Sequence, residues 1–360
     1  MASFLKTIWG LLFRLFPCPT KVGLRRIGDP GTDSPVLVTC NFDLTVKRLK
    51  RVLKGIDVWL LVAESKGVNV WCAAGGEEFN THSVVSAVKT SGIEDKVTHR
   101  TLILPPLGAP GINAAEVRSQ TGWKVSWGPV YAEDIPRYLT DNFKKDEGMK
   151  RARYDLPERL DTGLGSMFPI YFTGALSFLI FGRHLLTEYL VAGALAFIVF
   201  MSLCPWIPGR RGITKAFFAD AVLVLTLVIL EVSLNSYISQ VRPFLIIALV
   251  MIPVYGLELG GLASTMKSDL DPFLARLGIG AVGNVAFAGT VRTELLNGYR
   301  ELTYNEDLCI GCRSCAEVCP QGVWKIGENK KAVFVNKDAC TACRACLVQC
   351  KPEAIQAPRV

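Results

Sequence analysis

Eight of the chain's 12 cysteines fall near its end in two runs of the same spacing. The first is Cys309-x-x-Cys312-x-x-Cys315-x-x-x-Cys319-Pro320, and the second is Cys340-x-x-Cys343-x-x-Cys346-x-x-x-Cys350. Three thiolates of such a run hold one [4Fe-4S] cluster, and the fourth crosses to the other. The spacing therefore assigns Cys309, Cys312, Cys315 and Cys350 to one cluster, and Cys340, Cys343, Cys346 and Cys319 to a second. Zinc needs four ligands per site, usually from paired Cys-x-x-Cys units, and does not explain runs of four. One departure is that the second run ends Cys350-Lys351-Pro352, with the proline one place late. Two clusters make this segment a conductor of single electrons.

A ninth cysteine stands in a different setting, Asn69-Val70-Trp71-Cys72-Ala73-Ala74-Gly75. Here a cysteine comes where a strand is expected to stop, and small residues follow it. Backbone can approach a flat ligand closely at such a place, and a thiolate could ligate a metal from below. The plain alternative is a buried cysteine at a strand end, because free cysteine is among the most buried residue types.

Elements must position these groups, and the pattern from 35 to 143 supplies them. Short apolar runs at 35–39, 57–63, 99–104 and 124–127 read as strands, and 68–72 as a short extended segment. Amphipathic stretches at 44–53, 79–89, 114–120 and 134–143 read as helices. Strands alternating with helices argue for a Rossmann-like parallel sheet with ligands at the carboxyl ends of its strands. The basic residues Lys47, Arg48, Lys50, Arg51 and Lys54 form an ordinary solvated helix face. His82 and His99 read as ordinary polar residues, and Glu77-Glu78 as a start for the helix that follows.

Half of the 360 residues are hydrophobic, and mean hydropathy is +0.31. The excess lies between 167 and 263, in runs at 167–182, 185–207, 216–235 and 243–263 that read as membrane spans, the first short for the hydrocarbon core unless flanking residues extend it. Residues 273–291 form a weaker candidate for a fifth crossing. Four crossings are preferred, because a fifth would leave the two ends of the chain on opposite sides. Arg210, Arg211 and Lys215 place one loop in the cytoplasm by the positive-inside rule. Glu188, Asp220, Glu231 and Glu258 fall inside these runs, where a charge is costly. Iron–sulfur ligands and free thiols favour a reducing compartment for the remainder. The net charge of +8 is explained by basic loops beside a membrane, and no interleaved basic and aromatic patch points to nucleic acid.

The expected organisation is multidomain. An N-terminal amphipathic segment (1–30) precedes an α/β domain (31–143) and a charged linker (144–165). A helical transmembrane domain (166–292) and an α+β two-cluster domain (301–360) follow.

The run from Asn69 to Gly75 closely resembles the signature of the corrinoid protein family of microbial mercury methylation, whose cap helix reads Asn-Val/Ile-Trp-Cys-Ala-Ala/Gly-Gly-Lys. The similarity extends over Gly31-Thr-Asp-Ser-Pro-Val-Leu-Val-Thr39 and Asn41-Phe-Asp-Leu-Thr45, and into Ala281-Val-Gly-Asn-Val-Ala-Phe287. The C-terminal segment is similar to that family's dedicated ferredoxin, so the chain resembles a fusion of the two.

The resemblance implies a cobalamin whose cobalt takes Cys72 as lower axial and catalytic ligand. Asn69, Val70, Trp71, Ala73, Ala74 and Gly75 would line the corrin, and Thr39 and Thr45 would touch the corrin or its tail. It implies a methyltransferase acting on Hg(II) or a similar thiophilic acceptor. A corrinoid iron–sulfur methyl carrier of one-carbon metabolism is the alternative, and a membrane-tethered electron-transfer protein the plain one. Partners would be membrane lipid, a methyl-donor methyltransferase or methylated pterin, and a low-potential electron donor. Restoring cobalt to its reactive state takes two electrons, a demand that two clusters match. Two departures stand out: Gly76 occupies the place of the family's lysine, and the tail Gln356-Ala-Pro-Arg-Val360 lacks the family ferredoxin's vicinal cysteine pair.

Overall fold

The structure, a computed structural model, describes residues 2–14, 16–75, 77–153, 155–208, 212–233, 238–258, 302–340 and 343–356. Gly76, Arg210, Arg211, the 273–291 segment, the Ala281–Phe287 run and residues 357–360 lie outside them, as do the side chains of Glu231 and Glu258. The chain divides into two compact units. One holds Met1–Thr7, Phe16–Ala152 and Ala286–Val360, and the other holds Ile8–Leu15 and Arg153–Val285.

In the first unit a five-stranded sheet is built from β1 (Gly23–Ile27), β2 (Val36–Cys40), β3 (Val58–Ala63), β4 (Thr101–Leu104) and β5 (Lys124–Trp127), in the order β1-β3-β2-β4-β5. Strands β2 to β5 run parallel, and β1 pairs antiparallel with β3 at the edge. The sheet therefore begins before residue 31, inside the stretch expected to be an amphipathic segment. That segment's own helix is α1 (Ala2–Leu12). Each of the four expected strands is present, because β2, β3 and β4 carry the near-continuous apolar runs of strands covered on both faces.

Helices α2 (Asp43–Val52), α3 (Val70–Gly75), α4 (Thr81–Ser91), α5 (Ala114–Thr121) and α6 (Ile135–Thr140) connect and cover the sheet. Leu37, Leu49, Leu53, Leu60, Val62 and Tyr138 form the core between β2, β3 and the helices α2 and α6. The expected extended segment at 68–72 is instead the start of α3. Helix α4 starts not on Glu77-Glu78 but on Asn80, whose side chain accepts from the Ser83 N–H while Ser83 caps in return.

The same unit carries the C-terminal domain. There, β6 (Thr303–Tyr304) pairs with β9 (Ile355–Gln356), and β7 (Trp324–Ile326) pairs with β8 (Ala332–Phe334). Two short helices, Ser314–Val318 and Ala345–Gln349, lie within the two cysteine runs and carry Cys315 and Cys346. Numbered in chain order they are α11 and α12. Each starts on an arginine in the left-handed region, Arg313 and Arg344. The sequence repeat is thus also a repeat of backbone shape, offset by 31 residues from Arg313 to Arg344.

The second unit contains α7 (Leu156–Phe181), α8 (Leu186–Leu203), α9 (Gly212–Ser233) and α10 (Ile238–Glu258), one for each apolar run. The charged linker is shorter than expected, since 156–165 already belongs to α7. Phe200, Met201, Met251, Ile252 and Tyr255 pack inside, and the Tyr255 hydroxyl donates to the Gly193 carbonyl at 2.9 Å. Among the described residues the helix Arg183–Leu203 is long and apolar enough to cross a membrane. The bent pair Leu156–Gly165 and Met167–Phe181 qualifies if taken as one span. Glu188 sits in the first turn of α8, at a helix end.

Candidate functional site

The parallel strands have the order β3-β2-β4-β5, so the chain leaves β2 toward β3 and then crosses back to β4. The switch point lies between the carboxyl ends of β2 and β4, where open α/β sheets place their ligands. Three segments converge there: Asn41 after β2, the turn 64–68 after β3, and the loop 105–113 after β4.

Asn41 fixes the turn. It is 2% exposed, and its Oδ1 accepts from the Ser65 N–H (3.0 Å), the Ser65 hydroxyl (2.8 Å) and the Gly67 N–H (2.8 Å), while its Nδ2 donates to Glu64 (2.9 Å). The Ser65 hydroxyl is also within reach of the Val68 carbonyl at 2.8 Å. Gly67 is needed because its φ is +73° and a Cβ there would meet Pro19.

Helix α3 leaves this turn with Asn69 as its cap, the Oδ1 accepting from the Cys72 N–H at 2.9 Å. Val70, Ala73 and Ala74 face inward, whereas Trp71, Cys72 and Gly75 are half-buried on the other side. Ala73 and Ala74 thus pack against the interior. Behind them Gly111 comes so close that an added Cβ would lie 2.9 Å from the Ala74 carbonyl and against that of Phe79. Close packing of the 105–113 loop on α3 leaves Cys72 on the outer face of a firmly seated turn.

Thr39 and Thr45 lie next to this turn, at the end of β2 and in the first turn of α2. Both hydroxyls lie beside the Cys40 thiol, with Ser65, and burial pushes that thiol up. Thr39 is buried, so its side chain belongs to the core at the end of β2. Burial also pushes up the Glu78 carboxyl beyond the cap. His99 has structural partners, with Nε2 3.0 Å from the Ser34 carbonyl and Nδ1 accepting from the Thr101 N–H. That agrees with its reading as an ordinary polar residue.

In the C-terminal domain, Cys309, Cys312, Cys315 and Cys350 line one cavity, the set assigned from spacing. Burial, chiefly, and the neighbouring Cys312, Cys309 and Cys350 push the Cys315 thiol up to about 12. Burial and the nearby Cys343, Cys319 and Cys340 likewise push up Cys346, which brings the second set together. Thiols so placed resist ionising alone, and bound iron supplies the positive charge that favours thiolate. Among the described residues no three His, Cys, Asp or Glu side chains converge on one ion position. Four thiols spread around a cavity suit a cluster several atoms across better than a tetrahedral zinc ion. The Val323 N–H points at the Cys319 sulfur (3.4 Å).

Residues 301–351 match the family model of a 4Fe-4S dicluster domain. Residues 15–139 match that of the CO dehydrogenase/acetyl-CoA synthase delta subunit. The chain is therefore multidomain, a Rossmann-like parallel-sheet domain joined to an iron–sulfur domain. Over the first of these it is 38% identical to the acetyl-CoA decarbonylase/synthase complex subunit gamma of Archaeoglobus fulgidus, an alignment covering 36% of this chain and 28% of the relative. The same subunit of Methanopyrus kandleri is 38% identical over 34% of this chain and 27% of its own length. That of Methanocaldococcus jannaschii is 31% identical over 36% and 26%. The chain spans about a quarter of the length of the curated relatives it matches.

The buried amide of Gln349 was not visible from sequence. It hydrogen-bonds the iron–sulfur domain to the 105–113 loop. A glutamine in a short helix between cysteines carries no local signal of such a role.

Proposed function

We propose that this chain is a corrinoid-dependent methyl carrier with its own two-cluster electron supply, held at the cytoplasmic membrane by α7–α10. The observation that carries this reading is the place of Cys72, on a firmly packed turn at the switch point of the sheet, above a loop whose far side meets the iron–sulfur domain. The donor set fits a corrinoid: one thiol on an outward helix face, with Trp71 and Gly75 beside it. Cys72 would hold the group and Asn69 would fix the turn that presents it. When bound, the corrinoid supplies cobalt chemistry that carries and releases a methyl group, while the protein contributes ligand, burial and orientation.

The acceptor is better read as one of one-carbon metabolism than as mercury. The relatives over the α/β domain are named as subunits of an acetyl-CoA decarbonylase/synthase complex, which points to protein partners in one-carbon transfer. Hg(II) exchanges between accessible thiolates. Of the four cysteines outside the two runs, Cys18, Cys40 and Cys204 are buried, and burial pushes the Cys18 and Cys40 thiols up. The Asn69-to-Gly75 run favours the second reading, in which Hg(II) takes the methyl group.

Membrane attachment draws support from the outward faces of α7, α9 and α10. Ile180, Val222 and Val250 are 63%, 65% and 63% exposed, and apolar patches of that kind seek lipid or protein cover.

Purified anaerobic protein tests the reading. Near-stoichiometric cobalt with a corrinoid absorption spectrum is expected, and Cys72→Ala should keep the iron and the fold while losing the thiolate-ligated cobalt spectrum. Iron without cobalt in the wild type, or an unaltered cobalt spectrum in the variant, would overturn it. A methylation assay with and without Hg(II) then separates the two acceptors.

A further inference from the structure

The contact between the iron–sulfur domain and the α/β domain is built around a buried amide. Gln349, the last residue of α12, is 6% exposed. Its Nε2 donates to the Ala109 carbonyl (3.0 Å) and the Ile112 carbonyl (2.7 Å), and its Oε1 accepts from the Ala114 N–H (3.3 Å). All three partners are main-chain groups at the β4–α5 connection. Two acceptors and one donor call for a side chain that offers an NH2 and a carbonyl together, so an amide fits where a carboxylate or an ammonium does not.

The contact is lopsided with respect to the two cysteine sets. Beside the amide, Ala109, Val318 and Ala345 are fully buried, and Trp127 and Cys343 pack against them. Lys145 forms an ion pair with Glu317 at 2.8 Å, and the Ala152 N–H donates to the Pro320 carbonyl at 2.9 Å. Cys343, from the second set, thus touches the core of the contact, whereas Cys350 of the first set adjoins Gln349 in sequence but is absent from that core. In the first set Cys312 is exposed, beside Ile310 at 68% exposure.

We infer that Gln349 is a positioning residue that seats the second thiol set, through Cys343, against Trp127 and the 105–113 loop, and leaves the first set facing an external low-potential one-electron donor. The inference rests on the proposed reading of the α/β domain as the electron acceptor. The loop that Gln349 grips is the one whose Gly111 backs Ala74, so the amide reaches the turn carrying Cys72 through one continuous piece of main chain. Each passage moves one electron, oxidising the donor by one and reducing the acceptor by one, with no bond made or broken. The packing sets the path, with entry at the Cys312 face and exit at the Cys343 face, while the relative potentials of donor and acceptor set the direction.

The test uses the full-length holoprotein and its Gln349→Ala and Gln349→Asn variants, the second being one methylene short and guarding against a simple failure to fold. Iron content and cluster absorbance should be unchanged in both. Amide hydrogen exchange, which needs no corrinoid, should quicken at least tenfold over 109–116 and 343–350 in Gln349→Ala, and less in Gln349→Asn. With reduced viologen as donor, cluster reduction should keep its rate while onward reduction of cobalt slows at least tenfold. Unchanged exchange in both segments would refute the role of Gln349. Quicker exchange with unchanged onward transfer would remove the contact from the electron route. Cluster reduction that changes in step with onward transfer would reverse the assignment of the two faces. Absence of cobalt would defeat the corrinoid reading alone, with the exchange measurement still deciding the role of the amide.

Discussion

Asn41→Ala should loosen the seat of Cys72 without touching it. The substitution removes an acceptor shared by three donors and a donor to Glu64. The Ser65 N–H keeps a second acceptor in the Glu64 carboxylate at 3.0 Å, so the group left stranded is the Gly67 N–H in a buried turn. A buried donor without a partner costs about 1–3 kcal/mol, and the remaining bonds contribute about 1 kcal/mol net. The turn should therefore lose about 2–4 kcal/mol, which speeds native-state exchange of its amides roughly 30- to 900-fold. Hydrogen exchange over 64–72 measures this directly, with α5 as an internal reference that should not change. Asn41→Asp keeps the acceptors but places a second carboxylate beside Glu64, and should fall between the two. If Asn41→Ala quickens exchange in the turn less than threefold, the polar knot is not what holds α3, and the positioning argument for Cys72 fails.

Two further outcomes follow from geometry already described. Gly111→Ala should push the 105–113 loop off α3, costing about 1–3 kcal/mol by overpacking. Thermal unfolding of the α/β domain reports the loss and alkylation of Cys72 reports its greater access, so an unshifted midpoint with unchanged alkylation would contradict the close approach. Reporter fusions after Arg159 and after Arg300 should both report cytoplasm if the membrane is crossed an even number of times, and opposite locations would end the intramolecular electron supply.

The parallel strands were legible because β2, β3 and β4 are apolar runs separated by helix-period stretches, a pattern that neither neighbours nor loops can disguise. Strand β1 was not legible, because Gly23-Leu-Arg-Arg-Ile27 carries two arginines, as an edge strand does where one side meets water. Helix α3 was misread as extended for the opposite reason. Six residues are too few to show a 3.6 period, and Val70 and Trp71 favour strands. Its real signal was Asn69 three places before Cys72, a cap rather than a pattern. The gathering of Cys309, Cys312, Cys315 and Cys350 around one cavity was legible from spacing alone, since three of the four lie within one run. Gln349 was hidden, because its partners are backbone atoms more than 230 positions away, and main chain leaves no trace in a sequence.

That last fact has a consequence for how the join between the domains can change over time. Gln349 recognises the spacing of two carbonyls and an N–H, a shape set by the bend of the loop rather than by its letters. Residues along the loop can drift so long as the bend survives, and the join will still close. Tethering both halves in one polypeptide raises their effective concentration, so a small, shape-reading join suffices where two separate proteins would need a broader surface. A dicluster domain from another source, given an amide at the matching helix end, should therefore be graftable onto the same loop.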